Sequence, residues 1–113
     1  MNIKTSELTD AALDWAVAKC EGKVWAVWRF KEEHRDGNHQ YGEDWSLAGP
    51  IIEREGISVE RRMPCMKDEQ WGAQGWKAMQ NFHKGPTPLI TAMRCYVASK
   101  LGDEVEIPEE LTA

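Results

Sequence analysis

The chain has 113 residues, of which 42% are hydrophobic and 29% charged. This composition predicts one soluble globular domain rather than a disordered segment. The formal net charge of −5 argues against general binding to nucleic acid, which needs a concentrated basic patch, although Arg61 and Arg62 form a local one. The sequence shows no membrane-spanning or signal-like segment, so we expect a cytosolic protein without a membrane partner.

The first predicted helix covers Asp10–Glu21 and follows a short strand or extended lead-in at Ile3–Leu8. Thr9 is suited to be its N-cap. Leu13 lies on one apolar face by helical spacing, and Trp15 points nearly the opposite way. The helix therefore has two apolar sides, one for a sheet and one for another element, a second subunit or a ligand.

The middle of the chain is predicted to form strands and loops. Val24–Phe30 is rich in Val and Trp and alternates, which indicates a strand buried on at least one face. The polar stretch 31–44 is typical of a long loop, and we expect His34 and His39 to be solvated in it. A Gly-Pro pair precedes residues 51–60, whose alternation favours one bent strand or two short ones.

The last predicted helix covers Pro88–Leu101 and has favourable residues at both ends. Thr87 is suited to be the N-cap, Pro88 fits the first helical position, and Gly102 can end the helix. Before it, residues 63–75 contain a proline and two glycines that discourage a long helix, and residues 76–79 alternate as in a strand.

After this helix, Val105–Ile107 is predicted as an edge strand, and residues 109–113 as a frayed acidic tail. The elements together predict an α+β fold for residues 1–113. In this single domain, two helices pack on a small mixed or antiparallel β-sheet.

Tryptophan and cysteine are the residue types that need explanation. Six tryptophans are many for a small core, so we expect four or five to be structural and the rest to lie at a pocket, an interface or the surface. Cys20 and Cys95 fall in predicted helices and are expected to be small buried hydrophobes, whereas Cys65 lies in a Pro-containing loop. No Cys pair has the spacing of a zinc or redox site, and no metal or cofactor is predicted.

Three blocks of sequence carry a family resemblance. They are Lys4–Thr9 with Ala12–Ala18, Trp45 with Gly49–Glu53, and Gly85–Leu89 with Met93–Lys100. These blocks resemble the NinX-like family of small tailed-phage and prophage proteins, although Ala48 stands where the family typically has the first glycine of Gly-Gly-Pro. The resemblance implies a bacteriophage product in the bacterial cytosol, and it implies no catalytic residue.

An anion site is one interpretation of the start of the last helix. Lys84, Gly85 and Thr87 surround a helix N-terminus, which favours phosphate, although a rigid capping turn explains the same residues. Arg94 lies at the margin of the apolar face of this helix. There it needs a carboxylate such as Glu53 or Asp14, a cluster of carbonyl groups, or an anionic ligand.

Asp14 and Trp15, with Trp45 as a second stacking surface, are a candidate site for a base or ribose. The alternative is a favourable helix charge beside core tryptophans. No catalytic residue is predicted, because the chain lacks the common catalytic motifs and His83 is expected to be a solvated loop residue.

Three classes of function remain open. The preferred one is non-enzymatic binding or sequestration of a small anionic, nucleotide-like ligand, for example a host signal in counter-defence. The alternative is a protein-protein interaction module that inhibits or redirects a host factor through its surplus aromatic residues. An enzyme is the third reading, and a homo-oligomer is expected from the surplus of apolar surface.

Overall fold

The structure, a computed structural model, describes residues 1–23, 26–62, 67–75 and 78–112. These residues form four helices and five strands, which confirms the predicted α+β class. The helices are α1 (Asp10–Cys20), α2 (Val27–Arg35), α3 (Trp45–Glu55) and α4 (Pro88–Leu101), and the strands are β1 (Asn2–Lys4), β2 (Ile57–Arg61), β3 (Trp71–Gly75), β4 (Ala78–Gly85) and β5 (Glu104–Glu106). In this part of the chain, no helix is both long and apolar enough to cross a membrane.

Helix α4 is the central element of the fold. Its predicted limits are confirmed, and the hydroxyl of Thr87 accepts a hydrogen bond from the Ile90 amide at 3.2 Å. Every residue from Thr91 to Ala98 is buried, because α4 contacts β2, β3 and β4 and also α1 and α3. Of the two helices predicted to pack on the sheet, α4 does so, while α1 packs mainly against α4.

Two small sheets are both antiparallel. Strands β2, β3 and β4 form one sheet in that order, with Val59 opposite Ala73. Strands β1 and β5 form the other, with Ile3 opposite Val105, close to the edge strand predicted at 105–107. The second sheet therefore joins the two ends of the chain.

The strand predicted over Val24–Phe30 is wrong from Val27 onward, where the structure forms helix α2. Val24 and Trp25 lie outside the described residues, and the residues from Val27 onward are helical. Val27, Phe30 and His34 recur at helical spacing, and burial of Phe30 on that face decides the conformation over the β propensity of Val and Trp. The loop predicted over 31–44 is consequently shortened by the last turns of this helix.

The strand or strands predicted over 51–60 are wrong up to Glu55, where the structure forms the last turns of helix α3. The Asp44 carboxylate caps the helix by accepting from the Ser46 amide at 2.9 Å, and Gly56 ends it in the left-handed conformation. Pro50 lies inside the helix, where its ring is exposed while the neighbouring Ile51 is buried. Only Ile57 and the residues after it form the strand β2.

The C-terminal segment corrects the predicted frayed tail. Glu109–Leu111 forms a 3₁₀ turn, and Leu111 is buried against the core. The predictions for Cys65 and for Trp76–Lys77 fall outside the described residues. Among the thiols that the structure describes, Cys95 is buried and Cys20 half-buried, in agreement with their prediction.

Candidate ligand pocket

A cavity of about 650 Å³ opens beside the N-terminal half of α4. This volume is in the range of small-molecule sites. The lining residues come from the chain start, the segment before β3, strand β4 and helix α4: Ser6, Glu7, Thr9, Asp68, Glu69, Phe82, His83, Lys84, Pro86 and Arg94. Of the site residues predicted from sequence, Lys84 and Arg94 lie here.

Arg94 is the buried cation of this cavity, with 7% of its surface exposed. Its Nε donates to the Leu8 carbonyl and its Nη1 to the Lys84 carbonyl, both at 2.9 Å. Burial lowers the pKa of Arg94, but a guanidinium stays protonated in proteins. Carbonyl oxygens therefore hold Arg94, and the proposed ion pair with Glu53 or Asp14 is wrong.

The third nitrogen of this guanidinium is unpaired. Within the described ranges, Nη2 of Arg94 makes no hydrogen bond. A carboxylate or phosphate is the best partner for an unpaired guanidinium N–H group. The side chain is thus anchored at two points, and three of its five N–H groups, one on Nη1 and two on Nη2, are left for an anion.

Gly85 permits the close approach of β4 to α4 that brings the Lys84 carbonyl to Arg94. A Cβ atom at Gly85 would overlap Thr91 Oγ1 and would lie 3.3 Å from Arg94 Nη1. The Thr91 hydroxyl itself donates to the Thr87 carbonyl at 2.6 Å. Gly85 and Thr87 therefore shape the pocket from behind, and neither is among its lining residues.

His83 is a strand residue and not the solvated loop residue predicted. It lies on β4 opposite Ala73. Its Nε2 atom is buried and has no hydrogen-bond partner in the part of the chain that the structure describes. Burial lowers the pKa of His83, and the nearby Arg94 charge also lowers it, so the imidazole is neutral at pH 7.

The charges around the cavity do not favour a strong anion. Lys84 and Arg94 are positive, and Glu7, Asp68 and Glu69 are negative, so these side chains sum to −1. The Lys84 ammonium also lies 3.8 Å from the Glu69 carboxylate. Glu7 and Asp68 are exposed, and although burial has the larger effect and lowers the pKa of Arg94, their negative charges raise it. The pocket thus offers one buried cation, Arg94, beneath an acidic rim that consists of the carboxylates of Glu7, Asp68 and Glu69.

Phe82 forms an apolar wall of the pocket. Its side chain is 42% exposed, and a Cβ at Gly72 would overlap its ring, so the ring lies directly over that glycine. The Arg62 guanidinium lies 5.6 Å from the centre of the Phe82 ring, and that of Arg61 lies 5.6 Å from the centre of Trp71. Both arginines of the local basic patch are therefore stacked on aromatic rings.

The base or ribose site predicted from Asp14, Trp15 and Trp45 is not assembled at this cavity. Trp15 is buried, with its ring edge-on to Phe30 at 5.3 Å between centroids. Trp45 is 58% exposed at the start of α3. Trp15 therefore packs in the core and offers no open stacking surface.

Asp14 is also engaged in structure. Its Oδ2 lies 2.6 Å from His34 Nε2, and its Oδ1 accepts from the Gly42 amide at 2.9 Å. His34 and His39 both stack on Phe30. The expectation that these two histidines are solvated is therefore wrong, because the turn after α2 folds back over the core.

A polar cluster that sequence reasoning missed joins α1, α3 and α4. The Arg54 Nη2 atom donates to Glu21 at 2.7 Å, and the Tyr96 hydroxyl donates to the same carboxylate at 2.5 Å. These residues are far apart in sequence, so no local pattern could reveal the cluster. The described residues contain no group of three His, Cys, Asp or Glu side chains suited to a metal ion.

The pocket can now be compared with known proteins. No curated protein sequence matches the chain. The family model described as bacteriophage P22, NinX matches residues 4–100, a range that includes every lining residue from Ser6 to Arg94. The match covers most of the 113 residues, and it confirms the resemblance carried by the three sequence blocks. The chain therefore belongs to the NinX family of bacteriophage P22.

Proposed function

We propose that this phage protein is an accessory protein that binds a small anionic, nucleotide-like ligand without turning it over. It sequesters this ligand in the cytoplasm of the infected bacterium, where removal of a host signal counters defence. The observation that carries the proposal is Arg94, a buried guanidinium that lines a cavity and keeps both N–H groups of Nη2 unpaired.

The fixed orientation of Arg94 supports binding. Two of its nitrogens are held by main-chain carbonyls, so little side-chain freedom remains to be lost when an anion binds. A charge-assisted hydrogen bond from a desolvated guanidinium is among the stronger polar contacts. The exposed Phe82 ring offers an apolar surface for a base in the same cavity.

The arrangement of His83 favours binding over turnover. A general base must be within hydrogen-bond reach of the proton that it removes. The Nε2 atom of His83 has no hydrogen bond to a hydroxyl or carboxylate among the described residues. This imidazole therefore serves as a contact for a ligand, and no nucleophile is assigned.

Native mass spectrometry of protein purified from phage-infected bacteria tests the proposal directly. We expect a native mass that exceeds the denatured mass by one small molecule, which is released on denaturation. Arg94→Lys keeps the charge but not the three-nitrogen geometry, and it should reduce occupancy about tenfold. Arg29→Lys is the control, since Arg29 is exposed on α2. An apo mass for the wild type, or equal occupancy in Arg94→Lys, contradicts the proposal.

A protein-protein interaction module is the second candidate, because two of the tryptophans that the structure describes are exposed. Trp28 is 65% and Trp45 58% exposed, and tryptophan is enriched among the residues that dominate binding energy at interfaces. Capture of one stoichiometric host protein, lost in Trp28→Ala or Trp45→Ala, supports this function. Sedimentation of the same variants shows whether these rings instead join copies of the chain.

A further inference from the structure

We infer that the pocket selects a nucleotide whose phosphate carries a single negative charge, as in a phosphodiester, and whose base carries an amino group. This inference rests on the proposed function and names the ligand class for the same cavity. It follows from the positions of the unpaired polar groups, which include one cationic donor, one imidazole nitrogen and two carboxylates.

The cationic side of the pocket has room for one anionic group. Arg94 retains a single unpaired nitrogen, Nη2, after its two bonds to carbonyl oxygens. Lys84 is half-exposed and its charge is shared with Glu69 at 3.8 Å. A phosphodiester presents one charge to Arg94, whereas a triphosphate brings further charges that no other unpaired cation of the described lining compensates.

The acidic rim disfavours additional negative charge. Glu7 and Asp68 line the cavity and make no ion pair among the described residues. Like charges across a partly desolvated cavity repel more strongly than in bulk water. The same carboxylates are acceptors only, so they pair with donor groups of a ligand, such as the amino group of adenine.

His83 supplies the remaining contact. Its buried Nε2 atom has no partner in the described structure, and an unpaired buried polar atom calls for a partner in the functional state. A ribose hydroxyl can both donate and accept, so it satisfies this nitrogen in either tautomer. One nucleotide can thus pair with Arg94, His83 and the acidic rim together.

Isothermal titration calorimetry of the full chain with four probes tests the inference. The probes are adenosine 3′,5′-cyclic monophosphate, adenosine 5′-monophosphate, ATP and inosine 3′,5′-cyclic monophosphate, all at one low ionic strength. We expect the cyclic adenosine nucleotide to bind tightest and ATP at least about tenfold more weakly. The inosine analogue lacks the amino group and should bind about tenfold more weakly than its adenosine counterpart.

A double variant tests whether the negative charges of the acidic rim cause the preference among the nucleotides. The double variant Glu7→Gln/Asp68→Asn removes both rim carboxylates that make no ion pair within the described residues. It should reduce the ratio of the Kd for ATP to the Kd for the cyclic nucleotide at least about fivefold. Glu32→Gln with Asp36→Asn is the matched control, because it removes two exposed carboxylates from the region of α2. His83→Phe should weaken all adenosine probes while leaving their order unchanged.

The outcomes distinguish the two proposals. If ATP binds as tightly as the cyclic nucleotide, or if the double variant leaves the order unchanged, the inferred ligand class is wrong while nucleotide binding stands. If none of the probes binds, both the ligand class and the proposed nucleotide-like ligand are wrong.

Discussion

The Nε2 atom of His34 lies 2.6 Å from the Oδ2 atom of Asp14, and this contact joins α2 to α1. The other oxygen of Asp14 accepts from the Gly42 amide at 2.9 Å. One carboxylate, buried in the core, thus fixes the positions of two helices and of the turn between α2 and α3. Burial raises the pKa of Asp14, and the hydrogen bonds from His34 and Gly42 only partly offset it.

We expect Asp14→Ala to lower the free energy of unfolding by about 3 kcal/mol, because it leaves the Gly42 amide and the His34 ring without an acceptor. Asp14→Asn should lose less than half of that amount. Its amide oxygen can still accept from Gly42, and the raised pKa indicates that burial disfavours the charged form of Asp14, so that a neutral amide is tolerated there. Urea unfolding followed by circular dichroism measures both, with Asp36→Ala as the exposed control.

Glu21 should make the stability of the fold depend on pH in the acidic range. Burial raises the pKa of Glu21, but hydrogen bonds from Arg54 and Tyr96 together lower it below the ordinary value of 4.5. A carboxyl group with a lowered folded-state pKa contributes stability above its unfolded pKa and loses it as the pH falls through the folded value. The wild type should therefore lose stability as the pH falls through the folded-state pKa of Glu21.

Glu21→Gln should be less stable than the wild type at pH 7 and should show a flatter decline in acid. Urea unfolding across a pH series gives this comparison. Glu32→Gln, an exposed substitution on α2, serves as the control and should decline in parallel with the wild type. Parallel curves for Glu21→Gln and the wild type are the result that contradicts the prediction.

Two glycine substitutions should change stability in opposite directions. Gly85→Ala should lower the free energy of unfolding by ~1–3 kcal/mol, because the new methyl group would overlap Thr91. Gly49→Ala should raise it by ~0.5–1 kcal/mol, since Gly49 lies inside α3 and its Cβ position is open. Thermal unfolding of both variants provides the test, and an unchanged midpoint for Gly85→Ala refutes the close approach.

The same substitution, tryptophan to phenylalanine, should have different effects on stability at a core position and at a surface position. Trp15→Phe should cost ~1–3 kcal/mol, because it leaves a cavity beside Phe30. Trp28→Phe should change the stability by less than ~0.5 kcal/mol, since that ring is 65% exposed. Circular dichroism follows both transitions without relying on the altered fluorescence. Equal losses in the two variants would show that the core assignment of Trp15 is wrong.

Local signals in the sequence were sufficient where capping residues and periodicity agreed. The last helix is an example, since Thr87 and Gly102 mark both its ends and its apolar residues recur at helical spacing. The first helix was likewise predicted almost to its final residue. In both, burial against the rest of the fold reinforces the local preference.

Helices α2 and α3 could not be predicted in the same way. In α2, Val and Trp favour a strand locally, and burial of Phe30 in the core reverses that preference. In α3, Pro50 indicates an interruption of regular structure, although Asp44 and Gly56 mark the two ends of a helix. An N-cap and a C-terminal glycine at this separation were the available signal.

The pocket was predictable only in part. Arg94 and Lys84 attracted attention because a charged residue in an apolar helix and a lysine near a helix start need partners. The involvement of His83, Glu7 and Asp68 depends on contacts between distant segments. Such contacts leave no pattern in a single sequence.

The pairing of β1 with β5 has a consequence for how the protein is made. The Ile107 amide donates to the Met1 carbonyl at 2.9 Å, and the first strand has no partner until residues 104–106 have been synthesised. The hydrogen bond from Arg94 to the Leu8 carbonyl likewise joins residues that are 86 positions apart in the sequence. A ribosome-bound chain still lacking residues 104–106 therefore holds β1 without its partner strand.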